Sequence, residues 1–131
     1  MVIINSGLGN FNSVLNMIHK CGSKALLTNS YAEVLNSKKI ILPGIGSFDQ
    51  AIKSLRKFEL DKAIYEAINK GAYLLAICVG MQMLFDSSEE GTLNGLSLIR
   101  GKIKKFKLNT NKFPIPHMGW NDINLKKKSI L

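Results

Sequence analysis

The sequence predicts an α/β fold on a mostly parallel sheet, and three observations carry that expectation. Short apolar runs of strand character alternate with amphipathic helix-period segments over residues 2–85. Glycine-containing turns, Gly7-Leu8-Gly9 and Pro43-Gly44-Ile45-Gly46, follow two of those runs. A further run, residues 73–77, ends at Cys78 and passes at once into helix formers. Strands that alternate with helices are joined by crossovers, which make parallel pairs and place ligands at the carboxyl ends of the strands.

Residues 2–5 read as the first strand, closed by the turn signal at 6–10. Asn10, Asn12 or Ser13 stands where a helix cap is needed, and Phe11, Val14, Leu15, Met17 and Ile18 form the apolar stripe of the helix that follows. Gly22 stops it. Residues 24–28 give a second strand, 31–35 a short helix behind Ser30, 39–42 a third strand and 43–48 a loop. Ser47 or Asp49 is placed to cap a helix over 50–57. The next helix, 60–70, turns Leu60, Ala63, Ile64, Ala67 and Ile68 inward and is closed by Gly71. After the corner at Cys78, residues 81–85 read as helix, 87–91 as a polar loop, 101–108 as an edge strand and 122–125 as a further strand.

Composition narrows the function classes. The 131 residues suit one domain, and 46% hydrophobic with 21% charged residues describes a globular chain. No apolar run approaches the roughly 18 residues that span a bilayer, and no basic region with a long apolar segment opens the chain. A cytoplasmic protein away from membranes is therefore expected. Cys21 and Cys78 make no disulfide framework, and Cys21 reads as structural or incidental. The net charge of +9 comes from lysines spread along the chain, with Arg56 and Arg100 the only arginines, so no specific nucleic-acid footprint is expected. The 102–107 cluster reads instead as a guarded sheet edge. Neither a G-x-G-x-x-G after the first strand nor a G-K-[ST] occurs, and His19 and His117 stand apart from any C-x-x-C or H-E-x-x-H. No metal and no cofactor are expected.

The chemistry concentrates at Cys78. At a strand-to-helix corner the side chain is thrust above the sheet end, while the first helical N–H groups lack intrahelical partners and favour negative charge. That geometry suits a thiolate nucleophile and an oxyanion hole. The other reading is a small buried hydrophobe at the end of a strand. The glycines at 44 and 46 let backbone N–H groups approach a ligand, or simply make a turn. His117 is the one downstream imidazole and serves as a base only within hydrogen-bond reach of Cys78; in its Pro-rich, aromatic surroundings, packing or a partner contact fits it better.

The segment Ala76-Ile77-Cys78-Val79-Gly80-Met81-Gln82 resembles the nucleophile motif of the class I, triad-type glutamine amidotransferases. Gly7-Leu8-Gly9-Asn10, Pro43-Gly44-Ile45-Gly46-Ser47-Phe48, Ser88-Glu89-Glu90-Gly91 and Pro116-His117-Met118-Gly119-Trp120-Asn121 narrow the likeness. They resemble the family's glutaminase subunits of imidazole glycerol phosphate synthase, and close relatives that feed ammonia to a glycan-modifying synthetase. The likeness covers nearly the whole chain. It implies a flavodoxin-like three-layer sandwich and hydrolysis of L-glutamine, with the ammonia passed to a synthase or cyclase subunit in a heterodimer.

Residue by residue, the resemblance makes Cys78 the nucleophile and Ile45, Gly46 and Val79 the oxyanion-hole region. It makes Gly44, Gln82 and Glu90 substrate-binding positions, and His117, Met118, Gly119, Trp120 and Asn121 a face toward the synthase. Asn5-Ser6 stands where the family commonly has Asp-Tyr, and Ala76 where Gly is usual. The family also supplies a His and a Glu, one residue apart, from beyond the length of this sequence. Residues 1–131 are therefore expected to be the N-terminal portion of one such domain, inactive alone and with apolar surface uncovered. Two alternatives stand beside this: a docking module without catalysis, and an ammonia supplier to a surface-sugar amidotransferase.

Overall fold

The computed structural model describes residues 1–7, 9–107, 115, 117–124 and 126–127. The strands are β1 (Val2–Ile4), β2 (Leu26–Thr28), β3 (Lys39–Gly44), β4 (Tyr73–Cys78), β5 (Phe85–Ser88) and β6 (Ile99–Ile103). The helices are α1 (Phe11–Lys20), α2 (Tyr31–Leu35), α3 (Phe48–Lys57), α4 (Leu60–Asn69) and α5 (Val79–Gln82). The first four strands form a parallel sheet in the order β2-β1-β3-β4, and β5 and β6 form a separate parallel pair. This is the flavodoxin-like start of an α/β sandwich.

Alternation along the strands builds the three layers. Val2, Ile4, Ile40 and Leu42 face α2 to α5, where Val34, Phe48, Ile52, Leu55, Leu60 and Ile64 are buried. Ile3 and Ile41 face the other way and meet Ile18 of α1, with Phe11, Val14 and Leu15 partly buried around them. Full burial of a Leu or Ile side chain stabilises by roughly 1.5–3 kcal/mol. The α3–α4 face therefore carries most of the stability, and α1 is the lighter layer.

Several boundaries differ from the sequence expectation, each for a tertiary reason. Strand β3 runs on through Pro43 and Gly44, which were expected in a loop. Strand β1 pairs β3 only at Ile40 and Ile41, so beyond them β3 has β4 alone as a partner and the missing N–H of Pro43 leaves the ladder intact. Helix α5 begins at Val79 and ends at Gln82; of the segment expected as helix to residue 85, Met83 and Leu84 form a turn and Phe85 opens β5, which also takes in Ser87 and Ser88, expected in a loop. The carbonyls of Met83 and Leu84 accept hydrogen bonds from the N–H groups of Leu96 (2.7 Å) and Ile99 (2.9 Å), so long-range pairing overrides local propensity. Met17, placed in the apolar stripe of α1, is 59% exposed. Strand β2 begins at Leu26 rather than at residue 24. Residues 104–107 extend no strand, and neither do 122–124; residues 108 and 125 lie outside the described residues.

Uncovered apolar surface is present. Leu75 lies in register with Ile41, on the side of the sheet that α1 occupies, yet α1 leaves β4 bare. Tyr73, Leu75 and Ile77 are accordingly 62%, 38% and 40% exposed.

The unequal layers make a direct test. Leu55→Ala should lower the unfolding free energy by about 2–5 kcal/mol in equilibrium urea denaturation. Met17→Ala should change it by less than about 0.5 kcal/mol. Equal losses would mean that α1 presents the wrong face to the sheet.

Candidate active site

Cys78 is the last residue of β4 and the cap of α5, with φ 57° and ψ −120°. A non-glycine residue in such a conformation carries strain of about 1–3 kcal/mol and persists only where its surroundings fix it. Two glycines supply that constraint. A Cβ on Gly80 would lie 2.0 Å from the carbonyl oxygen of Leu42, and one on Gly44 would lie 2.6 Å from the Gly80 nitrogen. The backbones of α5 and β3 are therefore in direct contact, and Gly44 pairs with Cys78 across the two strands. So seated, the corner turns the thiol outward, and Cys78 is a free, exposed cysteine. The alternative of a small buried hydrophobe does not hold.

The other predicted loops gather at the same end of the sheet. Ile45 and Gly46 follow directly from the end of β3 and are exposed, whereas Val79 is buried. Gly46 has φ +82°, and a Cβ there would meet only the Gln50 Oε1 at an ordinary 3.9 Å, so its conformation, not crowding, requires glycine. Gly44 is buried, and its missing side chain is accounted for by the approach of α5. Past the carboxyl end of β1, the Asn5 side chain accepts from the Gly7 N–H at 3.0 Å, and the Ser54 hydroxyl of α3 donates to the Ser6 carbonyl. Leu8 lies outside the described residues.

Gln82 and Glu90 complete the predicted set. The Gln82 Oε1 is buried and has no hydrogen-bond partner among the described residues. A buried acceptor left unpaired costs about 1–3 kcal/mol, so a donor that reached it would bind there with profit. Glu90 is exposed on a turn whose N–H groups are fixed: that of Glu90 donates to the Ser88 hydroxyl (3.1 Å) and that of Gly91 to the Ser88 carbonyl (3.3 Å).

Asp49 was legible in the sequence only as a candidate cap, and the side chain of Ser47 at the cap of α3 makes no capping bond. Asp49 instead accepts hydrogen bonds from the N–H groups of Leu93 (3.0 Å) and Thr92 (2.9 Å) and from the Thr92 hydroxyl (2.9 Å). Those bonds, from Leu93 first and then Thr92, hold its carboxyl below the usual carboxylate range. Asp86 is lowered likewise, first by the Gly101 N–H and then by the Ser97 side chain.

His117, Met118, Gly119, Trp120 and Asn121 are all exposed, Trp120 at 104%. The His117 Nε2 lies 2.9 Å from the Asn121 Nδ2, and no hydrogen bond joins His117 to Cys78 among the described residues. His19 is in the last turn of α1, at the opposite end of the sheet from Cys78. Among the described residues no cluster of His, Cys, Asp and Glu is arranged to hold a metal ion, and no helix is long and apolar enough to cross a membrane. A hollow of about 360 Å³ lined by Arg56, Asp61, Tyr65 and Glu66 contains none of the predicted site residues.

Two outcomes follow from strain and charge. Cys78→Gly should raise the unfolding free energy by about 1 kcal/mol, since glycine adopts positive φ without strain. Cys78→Ser should leave it within about 0.5 kcal/mol; a stability loss in the glycine variant would show that Cys78 is not strained. On acidification the unfolded carboxyls, with pKa near 3.9, bind protons before the folded Asp49 and Asp86 do. Their stabilisation is whole above about pH 5 and is lost as pH falls through the lowered folded values. Unfolding measured between about pH 6 and 2 should thus be less pH-dependent in an Asp49→Asn, Asp86→Asn double variant than in the parent.

Comparison with known proteins places this arrangement. The sequence profile of the CobB/CobQ-like glutamine amidotransferase domain matches residues 1–111. The chain is similar to imidazole glycerol phosphate synthase subunit HisH of Trichormus variabilis, 42% identical over 100% of this chain and 62% of the relative. It is likewise similar to subunit HisH 2 of Methanococcus maripaludis, 45% identical over 100% of this chain and 65% of that protein. A third, subunit HisH of Chlorobium chlorochromatii, is 42% identical over 98% of this chain and 64% of its own length. The chain thus spans a little under two thirds of the length of these curated relatives. A strained, outward-facing cysteine between a parallel strand and a helix, within a profile match over residues 1–111, means that the chain belongs to the glutamine amidotransferase family.

Proposed function

We propose that this chain is the glutamine-hydrolysing portion of an imidazole glycerol phosphate synthase, residues 1–131 being the N-terminal part of a single amidotransferase domain. The observation that carries the reading is the exposed thiol of Cys78, held at φ 57° beside the Gly44–Gly46 loop. The Cys78 sulfur attacks the side-chain amide carbon of L-glutamine, and the carbonyl oxygen becomes an oxyanion. Amides of Ile45, Gly46 and Val79 are the donors offered to that oxygen. The C–N bond then breaks, the nitrogen takes a proton and leaves as ammonia, and a γ-glutamyl thioester remains. Water cleaves the thioester to glutamate and restores the thiol.

Gln82 and Glu90 hold the substrate's amino-acid end in this reading, and the orphaned Gln82 acceptor suits an ammonium or amide donor. The ammonia passes to a synthase subunit docked on residues 117–121, where the exposed Met118 and Trp120 offer large apolar side chains. The relatives' names support histidine synthesis over surface-sugar amidation as the destination. A cytoplasmic setting agrees with two free cysteines.

Covalent capture tests the site. The diazoketone analogue of L-glutamine should alkylate Cys78 in the 131-residue chain in a saturable way, with L-glutamine competing, and Cys78→Ser should abolish labelling. Labelling of Cys78 no faster than that of Cys21, or indifferent to L-glutamine, would remove the reading. With no base bonded to Cys78 among the described residues, glutamate release by the isolated chain should fall about 10²–10⁴-fold short of an enzyme with its base in place.

A further inference from the structure

We propose that Asp49 is a positioning residue for glutamine binding: its carboxylate fixes the turn that carries Glu90 against the helix entered from the Gly44–Gly46 loop. The inference rests on the glutamine-site reading above and adds the group that sets the spacing of the site's two walls. One wall is the loop after β3, which runs through Ser47 into α3; Phe48, beside Asp49, is fully buried and anchors that first turn. The other wall is the turn at residues 88–93.

The tie between them is specific. Asp49 Oδ1 accepts from the N–H groups of Thr92 (2.9 Å) and Leu93 (3.0 Å), and Oδ2 from the Thr92 N–H (3.1 Å) and hydroxyl (2.9 Å). These are charge-assisted bonds, which are shorter and stronger than neutral ones. Gly91 presses against the same carboxylate: a Cβ there would lie 2.2 Å from Asp49 Oδ1 and 2.8 Å from the Phe48 ring. At its other end the turn is fixed by buried Ser88, whose hydroxyl and carbonyl take the N–H groups of Glu90 and Gly91. Glu89 is committed to β6, its N–H donating to the Ile103 carbonyl (3.0 Å) and its carboxylate accepting from the Lys105 N–H (2.9 Å). Both glutamates are exposed, but the Glu89 carboxylate is taken by the Lys105 N–H, so Glu90 is the carboxylate of the pair left unengaged among the described residues, and Asp49 decides where that turn sits relative to Gly44–Gly46.

The test uses saturation of Cys78 capture by the same diazoketone on the full chain, with alkylation by iodoacetamide as a measure of the thiol alone. Asp49→Ala should raise the half-saturating concentration about tenfold or more, since small misplacements of binding groups are costly. Its limiting capture rate and its iodoacetamide rate should stay within about twofold of the parent, because the corner at Cys78 is built by Gly44 and Gly80. Asp49→Asn keeps one acceptor oxygen for the Thr92 and Leu93 N–H groups and should restore most of the affinity. Gly91→Ala, which pushes the turn off an intact Asp49, should weaken binding in the same direction and decides the matter if Asp49→Ala does not fold. A half-saturating concentration unchanged in both Asp49→Ala and Gly91→Ala would overturn the role of Asp49 while leaving the glutamine site standing. A parallel fall in the iodoacetamide rate would overturn it as well, by showing general damage to the corner. Failure of the parent chain to saturate would instead remove the glutamine site, and this inference with it.

Discussion

The contact on which the rest depends is the seat of α5 on β3, where the Gly80 backbone lies directly against Leu42 and Gly44. Without a side chain at either glycine, the first turn of α5 comes close enough to β3 for the chain to reverse sharply at Cys78. The reversal costs backbone strain, which the packing of Val79 and Met83 into the core offsets. In return the thiol stands outside the sheet rather than within it. A strand that entered its helix through relaxed dihedrals would place the sulfur elsewhere, and the neighbouring loop would have nothing to act on.

The layers explain why that corner is firm while other surfaces are bare. Helices α3 and α4 bury Phe48, Ile52, Leu55, Leu60 and Ile64 against one face of the sheet, and α5 rests on the same side. The loop entering α3 and the corner entering α5 are therefore both rooted in the better-packed half of the molecule. On the opposite face α1 covers the strands near β1, and the apolar side chains of β4 look outward. A carboxylate at the start of α3 then extends the firm half to the 88–93 turn, although that turn is built mainly of polar residues and could not be held by packing alone.

Local chemistry made much of this legible. The alternation of apolar runs with helix-period segments predicted the parallel sheet, and the strand-to-helix passage at Cys78 predicted the corner that the structure has. The caps were half legible: Asn10 accepts from the Ser13 N–H at 3.3 Å, as expected of one of the named candidates, while Ser30 and Ser47 make no side-chain cap. The run after Cys78 was misread because its residues favour helix, and nothing local shows that Leu96 and Ile99 will claim the Met83 and Leu84 carbonyls. Pro43 was misread because its tolerance in β3 depends on how short β1 is.

What the sequence by itself determined is the order of the elements as far as Cys78 and the place of the thiol, since spacing, glycine and cap residues act over a few neighbours. The tertiary structure alone decided that Gly44 and Gly80 meet, that Met17 faces solvent, and that Asp49 reaches Thr92 and Leu93. Each of these joins groups far apart along the chain, or chooses between faces of one helix. Such choices are made by close packing and by the geometry of a hydrogen bond across space, and no short stretch of residues encodes them.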